Sequence, residues 1–232
     1  MRLALATLAA AGCAQGLAKT PKPDAAVESV LAGQTFGVPG EAMEYQVALR
    51  GITVGRVQVA VGQPGWIEGR RAIIVRSRGA SAGFLSIFSD LRWELTTTLD
   101  METGLPLHEL HEVWLTFKGE AEHERDENRG RGDYNLHAAA GALRGWRSQV
   151  GQRATFDVRV ESAHFAVELS DAAREHLASA QAPAVRYDGI ARGKYRFSVW
   201  ISDDEARVPL RLSTDTKWGN VTVELVSYET PK

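Results

Sequence analysis

The feature that most constrains this chain is a two-residue alternation of apolar and polar side chains that recurs along most of its length. Met43, Tyr45, Val47 and Leu49 alternate with Glu44, Gln46 and Arg50. The same period runs through Val57, Val59 and Val61, through Leu91, Trp93, Leu95, Thr97 and Leu99, and through Phe156, Val158 and Val160. It returns in Phe165 to Leu169, Tyr195 to Ile201, Val208 to Leu212 and Val221 to Leu225. A period of two puts each apolar set on one face of a strand. Turn residues separate the runs, at Gly51, Gly62 to Gly65, Thr103-Gly104, Asn128 to Gly132, Arg192-Gly193, Asp203 to Glu205 and Trp218 to Asn220. Connections this short join antiparallel neighbours, and clean alternation belongs to sheets with one wet face.

The chain is therefore read as mainly β: a strongly curved antiparallel sheet or open β-barrel with one or two short helices against it. Leu136 to Trp146 reads as a helix. Ser170 to Ser179 starts on a plausible N-cap and is rich in alanine, so it reads as helix or strand. Pro209 has no N–H and falls on the polar face of its run, which places it at a sheet edge or a bulge.

Cys13 is the only cysteine and follows the apolar run Leu3 to Gly12, with Arg2 before it and Ala10, Ala11 and Gly12 just ahead of the sulfur. A charged start, a short apolar stretch and small residues before a cysteine form the layout of a bacterial lipoprotein signal. The run is too short to span a bilayer as a helix. Residues 1–13 are thus expected to be a signal ending in a lipidation cysteine. Residues 14–40 are expected to be a tether, with Lys19 to Asp24 alternating proline and charge and Ala25 to Leu31 allowing a helical turn or two. Residues 41–232 form one β-rich domain. Similarity to lipoproteins of two-membrane bacteria implies the outer membrane, because Ala14 and not Asp follows the cysteine. The net charge of −2 gives no pull toward nucleic acid.

Several strand ends carry a family likeness. Tyr45-x-Val47 is followed by Gly51-Ile52-x-Val54-Gly55, then by Asp100-x-x-Thr103-Gly104-Leu105-Pro106. Val199-Trp200-Ile201-Ser202-Asp203-Asp204 leads to Val208-Pro209-Leu210-Arg211-Leu212, with Gly219-x-Val221 beyond. From about residue 43 to 228 this resembles a bacterial envelope family known as domain of unknown function 3108, which implies a secreted, β-rich protein. The closing Trp200 to Leu210 hairpin is also similar to carriers that shield lipids or lipoprotein acyl chains in a half-open barrel.

Motifs with chemical potential have plainer explanations. Gly79-Ala80-Ser81-Ala82-Gly83 matches a nucleophile elbow, but the elbow needs a parallel sheet crossed by helices; a turn or bulge accounts for it, with a serine hydrolase acting through Ser81 as the alternative reading. His108 and His111 lie three apart on a strand and so face opposite sides, which prevents joint chelation. Glu120, Glu122, Glu124 and Asp126 share one face of a strand; such a ladder could bind calcium, but a solvated edge strand, charged to prevent aggregation, is the preferred reading. An outer-membrane barrel, whose strands also alternate, is opposed by that acidic strand and by only 8% aromatic residues for two girdles. No catalytic residue, metal ligand or cofactor is assigned. The expectation is a lipid-anchored, non-enzymatic protein on the periplasmic side of the envelope. It would bind a lipid-like ligand through Trp93, Phe156, Phe165, Tyr195 and Phe197, dock on an envelope partner, or act as a purely structural scaffold.

Overall fold

The computed structural model describes residues 37–230, apart from 84, 85, 87, 88, 131, 161 and 162. Cys13, the tether and the Ala25 to Leu31 segment lie outside the described residues. Seven strands precede the helix: β1 (Ala42–Leu49), β2 (Ile52–Val61), β3 (Gly65–Ile67), β4 (Arg70–Ser81), β5 (Ser89–Asp100), β6 (Pro106–Phe117) and β7 (Glu120–Arg129). Helix α1 (Leu136–Gly145) follows, then β8 (Arg153–Val160), β9 (Ala163–Leu177), β10 (Ala182–Ala191), β11 (Tyr195–Ser202), β12 (Pro209–Thr216) and β13 (Gly219–Glu229).

All thirteen strands join one antiparallel sheet in the order β7-β6-β5-β4-β2-β1-β13-β12-β11-β10-β9-β8, with β3 beside β4. Two meanders meet where the first strand pairs with the last, and the open edges are β7 and β8. Those edges are neighbours in sequence, and α1 is the link between them. The mainly β reading with a curved antiparallel sheet is thus what the chain adopts. Ser170 to Leu177 belongs to strand β9, which settles the helix-or-strand alternative. Pro209 is not on an edge, because β12 is paired on both sides. It opens its strand at a register shift opposite Trp200 and Ile201, where no ladder N–H is missed.

Alternation gives the sheet an apolar inner face, and α1 covers it. Asn135 caps the helix by accepting the Ala138 N–H at 2.9 Å, and the Trp146 N–H closes the other end onto Ala142 O at 3.0 Å. Ala142 and Leu143 pack with Phe156, Val158, Leu169, Tyr187 and Ile201 of the second meander. Ala138 packs with Val61, Ile73, Val75 and Leu99 of the first. In β10 the inner position Gly189 leaves room for its cross-strand neighbour Phe197, whose ring lies where a Cβ would stand.

Polar groups secure the carboxyl end of α1. Arg144 forks onto the carboxylate of Glu41 through both terminal nitrogens, with the Nη2–Oε2 contact at 3.1 Å, and its Nε donates to Arg207 O at 3.0 Å. Arg207 answers by donating to Arg144 O at 3.3 Å and to the Tyr187 hydroxyl at 2.6 Å. Both members of the Arg144–Glu41 pair are buried. A buried pair that loses one partner leaves a charge without compensation. Replacing Arg144 with Met is therefore expected to lower unfolding free energy by about 3–5 kcal/mol, read as a shift of the urea midpoint. Adding Glu41→Met should recover part of that loss.

Candidate functional site

The five aromatic residues singled out from the sequence do not gather around a ligand space. Phe156 is buried in the core, and Phe165 and Phe197 pack at its margin. Tyr195 lies half-buried at the start of β11 beneath the Lys194 ammonium, 4.8 Å from the ring centre. Trp93 belongs to the other meander, with its indole over Gly79 of β4. The position a carried ligand would take is filled by α1.

Ser81 is held by its own sheet. Its hydroxyl donates to Ser89 O at 3.0 Å and accepts the Leu91 N–H at 3.1 Å, both across the β4–β5 connection. The preceding glycine of the elbow-like motif is explained by packing, since a Cβ on Gly79 would overlap the Trp93 indole. His108 and His111 pair with Thr98 and Leu95, on opposite faces of the sheet as their spacing requires. No group of three metal-ligating side chains occurs among the described residues. Glu120, Glu122 and Glu124 of the acidic ladder are exposed on edge strand β7, where like charges discourage pairing with a second chain, while Asp126 is half-buried at the seam.

The structure also assembles a polar cluster that the linear pattern hides. His137, in the first turn of α1, bridges Ser77 Oγ at 2.6 Å and Thr97 Oγ1 at 2.8 Å, one ring nitrogen donating and the other accepting. Asn135 donates to Thr97 Oγ1 at 2.9 Å and to the carboxylate of Glu109. Arg159, reaching from edge strand β8, stands 3.6 Å from the same carboxylate. A cavity of about 40 Å³ at the seam between the two sheet edges touches Glu109, His111, Asp126 and Arg159 but not Ser77 or His137. The Ser77–His137 pair is thus sealed beneath the helix, and Thr97 stands where a hydrolase would need a carboxylate. Its chemistry is structural: it ties the amino end of α1 to β4, β5 and β6.

An accessible concavity lies on the outer face, where β2, β4, β5 and β6 form a groove of about 670 Å³. Arg56, Arg78 and Arg92 line it together with Glu44, Asp90 and Glu94. Ion pairs run across it, Arg78 to Glu94 at 2.7 Å, Arg92 to Asp90 at 2.8 Å and Arg56 to Glu44 at 3.5 Å. Trp114 forms one wall, 38% exposed, with its indole stacked on His123 of β7 at 5.0 Å and 6°. Of the five aromatic residues named from the sequence, Trp93 lines this groove beside Gly79 and Ala80, while neither the groove nor the seam cavity includes Phe156, Phe165, Tyr195 or Phe197. Elsewhere the outer face carries Arg186 and Arg211, each ion-paired. Charge outside and apolar packing inside is the reverse of a membrane-spanning barrel, which removes that alternative.

No family model and no curated protein matches the chain, so the turn-motif resemblance to family 3108 stands without a matching model. Among solved structures the chain is similar to a β-barrel-like protein of domain-of-unknown-function family 1849 from Brucella abortus. The identity is 8% and the TM-score 0.45, over 84% of this chain and 99% of that one. It is also similar to a protein with a YmcC-like fold from Bacteroides fragilis, at 8% identity and a TM-score of 0.40 over 86% of this chain and all of that one. With so few shared residues, neither likeness assigns a role to any side chain.

Burial holds the His137 imidazole down to about 4. The unfolded chain takes up that proton near pH 6.5, so the folded state is penalised progressively as pH falls from about 6.5 to about 4. The expected loss is about 3 kcal/mol. Urea midpoints measured across that window should fall with pH, and His137→Gln should flatten this part of the dependence.

Proposed function

We propose that the chain is a lipid-anchored, non-enzymatic protein of the bacterial cell envelope, held on the periplasmic side of the outer membrane through Cys13. Its helix-filled half-barrel would present the outer groove to an envelope component. The observation that carries this reading is the position of α1. It occupies the inner space that a lipid-like ligand would need, and the one roomy concavity described above opens on the opposite face. Three further observations support it. The segment before Cys13 has the charge, apolar run and small residues that a lipoprotein peptidase reads. Ser81 spends its hydroxyl on the sheet around it. The Ser77–His137 pair is closed to substrate.

The likeness to family 3108 rests on turn motifs, and here those motifs have local work. Asp100 accepts the N–H groups of Glu102 and Thr103 at 2.8 and 3.3 Å. Asp204 accepts the Ser202 hydroxyl at 2.7 Å and the Arg207 N–H at 3.0 Å. Both stop a strand and turn the chain back. They speak for kinship of fold and leave ligand choice to the groove.

Anchoring is tested by Cys13→Ser in a two-membrane bacterium. The variant is expected to lose incorporation of labelled palmitate and to move from the membrane pellet to the soluble periplasmic fraction; unchanged labelling would overturn the anchor. The filled interior is tested by native mass spectrometry of the periplasmic Cys13→Ser chain, which should give the bare protein mass. A lipid adduct removed by organic extraction would restore the carrier reading.

A further inference from the structure

We propose that the outer groove binds a neutral oligosaccharide, stacked on Trp114 and hydrogen-bonded by the arginine and carboxylate side chains around Ala80. This rests on the reading of the groove as the binding surface and names the class of ligand that fits it.

Cross-strand register builds the site. Arg56, Ala80, Arg92, Trp114 and His123 are successive partners in one row across β2, β4, β5, β6 and β7. Gln58, Arg78, Glu94 and Glu112 form the adjoining row. The methyl group of Ala80 is the short side chain between two long guanidinium arms, so the row has a notch at its centre. Trp114 is held flat because His123 stacks on it from the β7 side. Its other neighbour in the row is Arg92, and the indole lines the groove while remaining 38% exposed.

Three properties select the ligand. Charge comes first. The lining holds three arginines and three carboxylates, each arginine paired within 3.5 Å. A polyanion would meet Glu44, Asp90 and Glu94 as well as the cations, and so gains little from the groove. Second is the character of the walls. Paired guanidinium and carboxylate groups offer donors and acceptors side by side. Vicinal hydroxyls, each both donor and acceptor, satisfy such pairs at once, while the C–H face of a pyranose ring has the flat apolar surface that an indole prefers. The ion pairs are partly solvated, so rearranging them around hydroxyls costs little. The third property is the floor. β2, β4, β5 and β6 are each paired on both sides, so no backbone edge is free to add a peptide strand. The volume of about 670 Å³ suits a ligand of a few sugar rings, within the roughly 300–1,000 Å³ of small-molecule pockets.

The test titrates the full-length Cys13→Ser chain with three probes, chitotetraose and maltotetraose as neutral tetrasaccharides and a heparin tetrasaccharide as the polyanion, by calorimetry. Saturable binding of a neutral probe is expected. It should weaken about tenfold in Trp114→Ala, the scale of a lost aromatic contact. It should weaken likewise in Ala80→Leu, which fills the notch and leaves the indole in place. Thermal melts confirm that each variant is folded. Binding of heparin alone, lost in both variants, overturns the neutral ligand and keeps the groove as the site. Neutral binding that neither variant moves overturns both readings. If no probe binds, the saccharide inference falls. A photo-crosslinking residue at Thr116 in living cells then decides the groove: an adduct keeps it as a docking surface, and none removes it.

Discussion

A single helix spanning the seam of an open sheet is the constraint on which the rest of this protein depends. The two unpaired edges, β7 and β8, are consecutive in the chain, so the segment between them must cross the mouth of the curl. That segment is α1, and it is anchored to both meanders. At its amino end Asn135 and His137 bond to Ser77, Thr97 and Glu109 of β4, β5 and β6. At its carboxyl end Arg144 reaches Glu41 before β1 and the backbone at Ala206 and Arg207 before β12. Short side chains, Ala138 and Ala142, let the helix sit close against the sheet, while the polar groups set its depth and rotation. Hydrophobic burial alone tolerates sliding; satisfied buried hydrogen bonds do not.

This arrangement separates structure from function by face. The inner face holds the reactive-looking groups, among them a serine–histidine pair, a buried carboxylate and a buried arginine, and all of them are committed to holding the helix. The outer face holds side chains with one exposed end and a partner that can be exchanged. On the proposed reading, ligand contact falls to the groove around Ala80, where the Trp93 and Trp114 indoles give apolar surface and the arginine–carboxylate pairs give directionality.

Much of the fold was legible because strand pairing is written in a local period. The runs at Met43 to Leu49, Leu91 to Leu99 and Tyr195 to Ile201 are strands, and Leu136 to Gly145 is a helix. β10 was harder to read. Its inner positions are Val185, Tyr187, Gly189 and Ala191, and the small pair at the end erases the alternation because Phe197 supplies the missing bulk from the next strand. Ser170 to Leu177 was ambiguous because a register shift between β9 and β10 breaks its period beside Tyr187. Of the site little was legible. Arg159 occupies a polar position in its run and would be placed in solvent, yet it is buried beside Glu109, because the seam folds the edge of β8 toward β6.

By itself the sequence determined an antiparallel, mainly β chain with one or two short helices and with most strands apolar on one face. Each of these follows from the spacing of neighbouring residues. Only the tertiary structure decided that the helix would fill the sheet, that Ser77 would meet His137 sixty positions away, and that Arg56, Ala80, Arg92 and Trp114 would stand in one row. Those pairings depend on register and curvature summed over a dozen strands. A shift of one residue in any of them would send every side chain to the other face, and no local pattern records that sum.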